Sequence, residues 1–85
     1  MGLKAHPLDI SGKVLQRGDE VTIKRIPKSL VRGLPHSDQQ AINSCLGQSF
    51  KISGFNDHGD AEIEFTDAAN DFHTIWIETG CLKKI

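Results

Sequence analysis

At 85 residues, with 38% apolar content and a formal charge of −1, the chain has room for one domain with one core. It is too apolar and too nearly neutral for a disordered segment. Ten basic residues stand against eleven acidic ones, which argues against a polyanion binder held by net charge, and no apolar run approaches the roughly 18 residues of a membrane span.

Residues 1–12, with Pro7 and Gly12, are expected as a loose lead-in to a single domain over 13–85. The N-terminus has no apolar h-region, and His6 stands where a myristoylation pattern needs Ser or Thr. A cytoplasmic protein is therefore expected. Cys45 and Cys81 lack CxxC spacing and are too few for a disulfide framework. Buried free thiols are the expectation, although spacing alone leaves one bridge between them open.

Organised structure is expected to begin near Val14 and Leu15 and to turn at Gly18-Asp19. Glu20 to Ile26 alternates, with Val21 and Ile23 on one face and Thr22 and Lys24 on the other; this is a half-buried strand, ended by Pro27. Residues 27–36 have no clear period, but Leu30, Val31 and Leu34 are available to pack inward. Ser37-Asp38-Gln39-Gln40 reads as a capping box, with Asp38 at the positive end of the helix dipole. Ala41, Ile42, Cys45 and Leu46 share one face and Gly47 supplies a stop, so the pattern predicts a helix over 38–46.

The second half reads as a meander. Ser49 to Phe55 is a strand with Phe50 and Ile52 on one face, and Asn56-Asp57-His58-Gly59 is a turn with Gly59 suited to a positive φ. Asp60 to Phe65 alternates strictly, with Ala61, Ile63 and Phe65 inward and Glu62 and Glu64 outward. A polar turn over 66–71 leads into Phe72 to Ile77. Strands at this spacing predict a small barrel or sandwich. The alternative is an open three-stranded sheet with one helix.

Ile77-Glu78-Thr79-Gly80-Cys81-Leu82 is similar to the stretch of SH3 domains in which a buried strand end is followed by a 3₁₀ turn and a closing strand. From Gly18 to Ile85 the order of elements resembles the SH3-like small β-barrel superfamily. The resemblance implies a mainly β fold of about five strands, with the helix over 38–46 in the long loop after the first main strand. It also implies that Ile77 and Leu82 are core residues. Glu78 and Cys81 stand where a peptide-binding SH3 domain has Pro and Tyr, and the chain has no Tyr. The resemblance therefore speaks to fold and not to polyproline binding.

No nucleophile elbow, zinc-ligand spacing or EF-hand loop is present; Asn56-x-His58-x-Asp60-x-Glu62 lacks the glycine and the final glutamate of a calcium loop. No cofactor, metal or catalytic residue is expected. Charge is segregated: residues 57–78 hold seven acidic and no basic side chains, whereas residues 4–32 hold seven basic and three acidic ones. If Ile75 and Ile77 point inward, Trp76 points outward with Phe72 and Thr74, unless residues 27–46 fold over them as a lid.

The function expected is a non-catalytic protein-interaction or regulatory module, binding a protein partner through Trp76, Phe72, Glu62 and Glu64. The alternative is a nucleic-acid-binding barrel like the KOW type, using Lys24, Arg25, Lys28 and Arg32. No aromatic within that cluster could stack a base.

Overall fold

A computed structural model describes residues 7–85. The chain runs through β1 (Glu20–Ile23), α1 (Lys28–Val31), α2 (His36–Asn43), β2 (Ser49–Lys51), β3 (Gly54–Phe55), β4 (Ala61–Thr66) and β5 (Phe72–Ile77). A 3₁₀ turn at Thr79–Cys81 then leads into β6 (Leu82–Lys84). The fold is mainly β, with two three-stranded antiparallel sheets in the orders β2-β1-β6 and β3-β4-β5.

The two sheets share one bent segment. Ile52 N–H donates to the carbonyl of Asp19, the residue that leads into β1 of the first sheet, at 2.9 Å, and the next amide, Ser53 N–H, donates to Glu62 in the second, also at 2.9 Å. Residues 49–55, expected as one strand, are therefore counted as β2 and β3. Inward side chains from both sheets meet at this bend. Val21, Ile23, Ile52, Ala61, Ile63, Phe65, Ile75 and Ile77 are all buried, as the alternation predicts, and Leu82 is buried with them. Each fully buried aliphatic side chain contributes about 1.5–3 kcal/mol.

The helix differs from expectation at both ends. Pro35, not Ser37, is the N-cap, and no side chain caps it. Its φ of −54° and ψ of 151° already have cap geometry, so the chain enters the helix earlier and the Ser37–Gln40 capping box does not form. Gln39 folds back instead, its Nε2 donating to the Leu34 carbonyl at 2.8 Å. The helix stops at Asn43, where Ser44 Oγ donates to the carbonyls of Gln40 and Ala41. Tight turns follow, from Cys45 N–H to Ile42 and from Leu46 N–H to Asn43. They keep Cys45 inward but swing Leu46 out to 54% exposure. Gly47 ends the turn at φ +81° and donates to the Ile23 carbonyl. A short helix, α1, also forms where no period was visible.

The expected loose lead-in over 1–12 is corrected for residues 7–12; residues 1–6 lie outside the described ones. Leu8 bridges Val14, Ile10 N–H donates to Leu82, and Leu15 is a core residue. The anchor is Asp9, only 5% exposed. Its Oδ1 accepts from the amides of Ser11 and Lys13, and its Oδ2 accepts from Lys84 N–H at 2.7 Å. Three donors compensate the burial of a charge that would otherwise be costly.

Candidate partner-binding face

The register of β4 against β5 builds the face. Glu62 lies opposite Trp76, Glu64 opposite Thr74 and Thr66 opposite Phe72. All six project to the outer side of the sheet, because their neighbours Ile63, Phe65, Ile75 and Ile77 project inward. Phe72 is 65% and Trp76 42% exposed. Residues 27–46 therefore do not fold over this face as a lid. Ser53 Oγ donates to Glu64 Oε1 at 3.1 Å, so one carboxylate is partly held in place. The four residues expected to bind a partner stand on one face of the sheet.

Helices α1 and α2 run beside β5 rather than over it. They leave two clefts flanking Trp76. One, of about 350 Å³, is walled by Leu30, Leu34 and Ile42 on the helical side and by His73 to Trp76 on β5, with Asp38 at its rim. The other, of about 400 Å³, lies among Pro27, Leu30, Trp76, Asp60 and Glu78. Leu30 and Trp76 line both clefts. Among the described residues, Asp38, Asp60 and Glu78 are the carboxylates at the two clefts, and no Lys or Arg lines either. Asp60 and Glu78 belong to the acidic run visible in the sequence. Asp38 was legible only as a helix-dipole charge, because its place beside β5 depends on how α2 packs.

His73 and Asp67 pair under the end of this face. His73 Nε2 lies 2.7 Å from Asp67 Oδ2, and its ring stacks on Phe65 at a centroid distance of 4.9 Å. The hydrogen bond from His73, with the amides of Asp71 and Ala69, holds the Asp67 carboxyl below its usual pKa. Nothing in the sequence pattern linked these two residues. Their alignment follows from the turn between β4 and β5, where Asn70 adopts φ +68°.

The basic residues are placed differently. Lys24 and Arg25 lie on the chain leaving β1, Lys28 opens α1 and Arg32 closes it. All four are exposed, and among the described residues none pairs with a carboxylate. Cys45 and Cys81 are free and buried. Burial raises the Cys45 thiol to about 11 and also raises Cys81, the latter against the opposing influence of Arg25. Both are poor thiolates at neutral pH. Among the described residues no group of three or more His, Cys, Asp or Glu could hold a metal ion, and no helix is long and apolar enough to cross a membrane. No protein-family profile, curated protein or solved structure matches the chain.

Proposed function

We propose that this domain is a non-catalytic interaction module that binds a protein partner through the outer face of β4 and β5. The carrying observation is the exposure of Trp76 and Phe72 on the outer face of a paired sheet, beside Glu62 and Glu64. Aromatic side chains in such positions dominate interface energies, and flanking carboxylates orient a partner of opposite charge. The strand order and the 3₁₀ closing turn support kinship with SH3-like small barrels. Two free, buried thiols fit a reducing compartment, and the cytoplasm is the proposed location.

The test is affinity capture from source lysate with the wild-type domain and with Trp76→Ser/Phe72→Ser, each checked for folding by thermal unfolding. A protein retained by the wild type and lost by the folded variant is the expected result. Identical capture by both would overturn the proposal.

A further inference from the structure

We infer that the trough between β5 and the α1–α2 hairpin receives an extended, basic peptide segment of the partner, divided about Trp76. This rests on the reading of the β4–β5 face as the binding surface, and it names the ligand chemistry and the path.

The shape argues for an extended chain. The two clefts of about 350 and 400 Å³ share Leu30 and Trp76 and lie along β5. β5 is an edge strand of its sheet. Among the described residues no backbone hydrogen bond joins it to residues 27–46. Where α1 does not pack against it, that edge offers N–H and C=O groups, unpaired by any described backbone, to a peptide main chain. The edge of β6 is treated differently, since Ile10 and Asp9 cover it through Leu82 and Lys84. β5 itself, Phe72-His73-Thr74-Ile75-Trp76-Ile77, has no Lys, Arg, Asp or Glu to discourage pairing.

The charge argues for a basic ligand. Asp38 stands at one cleft and Asp60 and Glu78 at the other, and among the described residues no Lys or Arg lines either. Glu62, opposite Trp76, adds a fourth carboxylate on the adjoining face. A Lys or Arg stem can lie along Leu30, Leu34 and Trp76, with its cation over the indole or at a carboxylate. An acidic peptide meets repulsion at each of these positions.

Trp76 is the single Trp and the chain has no Tyr, so tryptophan emission reports the surroundings of Trp76 alone, and the Asp38 and Asp60 substitutions separate the trough from the outer face. The probe is a blocked eight-residue peptide of alternating Lys and Val, with the alternating Glu and Val peptide as control. The expected result is a saturable change in Trp76 emission with the Lys peptide only, weakened by salt and by about tenfold in Asp38→Lys/Asp60→Lys. Equal response to both peptides, no response to either, or an unchanged midpoint in that variant would overturn the inference. So would a concentration-dependent dimer that shields Trp76, or single-stranded RNA shifting the emission in preference to the peptide. Lysate capture that depends on Trp76 but not on Asp38 and Asp60 removes the trough while leaving the face reading intact. Capture that is indifferent to Trp76 removes both.

Discussion

Trp76 and Glu62 occupy directly opposed positions of the β4–β5 ladder, on the outer side of a sheet whose inner side is core. A large apolar ring and a carboxylate so placed can meet one partner residue together. Their neighbours Ile63 and Ile75 are opposed in the same way on the buried side. One hairpin therefore carries a stability function and a binding function on opposite faces, and substitution should separate them.

Trp76→Ser is expected to cost about 1 kcal/mol of stability, since the ring is partly exposed and lies outside the buried core, whereas Ile63→Ala is expected to cost about 3 kcal/mol. Urea unfolding of both variants checks this. A loss for Trp76→Ser equal to that for Ile63→Ala would mark the ring as core.

Glu62→Lys/Glu64→Lys is expected to weaken binding of any partner captured through Trp76 by about tenfold, chiefly in its association rate at low salt. Stability should stay within about 1 kcal/mol of wild type, because both side chains face outward. Titration of the captured partner against both proteins measures the difference, and an unchanged affinity would take the two glutamates out of the interface.

Asp9→Asn should be costly for a single change of atom. The Asn carbonyl can still accept from Ser11 and Lys13, but its amide nitrogen would face the Lys84 N–H, and two donors cannot pair. A loss of about 2 kcal/mol is expected, with the segment at residues 7–15 exchanging its amide hydrogens faster. Wild-type exchange rates there would show that Asp9 is not the anchor.

Acid sensitivity follows from the same carboxylates. Burial pushes the Asp9 pKa up, but the amides of Lys84, Lys13 and Ser11 outweigh it and leave it lowered. The hydrogen bond from His73, followed by the Asp71 amide, lowers Asp67. Each folded pKa lies below the model-peptide value of 3.8. Their stabilisation is thus fully present only above about pH 5, beyond the ordinary carboxyl range, and is lost as pH falls through the folded values. Asp67→Asn should flatten the fall in stability between about pH 5 and pH 2. Chemical unfolding at a series of pH values measures that slope, and a slope identical to wild type would contradict the pairing.

Both thiols should resist a disulfide reagent in the folded protein. Cys45 is buried with its thiol raised to about 11, and its Sγ donates to the Ala41 carbonyl at 3.6 Å. Labelling at pH 8 is expected to follow the unfolding equilibrium, accelerating with urea. Rapid modification without denaturant would place a thiol at the surface.

Alternation is a local property, and where it is strict the sequence is enough. Ala61, Ile63 and Phe65 are inward, Glu62 and Glu64 point away from the core, and Gly59 adopts φ +82°. The grouping of Trp76, Phe72, Glu62 and Glu64 on one face follows from the same period once the two strands pair. The helix was less legible, because the capping box at Ser37 is the visible start signal, whereas Pro35, with its fixed φ, takes the N-cap position two residues earlier. Asp9 was opaque, since its defining partner, Lys84, is 75 positions away.

By itself, then, the sequence determined the periodic strands, the turns and the absence of recognisable catalytic motifs, all of which depend on neighbouring residues. Only the tertiary structure decided that α1 and α2 lie beside β5 and leave Trp76 open, that Asp38 joins Asp60 and Glu78 around it, and that residues 7–12 are fastened down. Those outcomes depend on how a long loop packs against a sheet edge. That packing sums many small contacts between residues distant in the chain, and no local period encodes it.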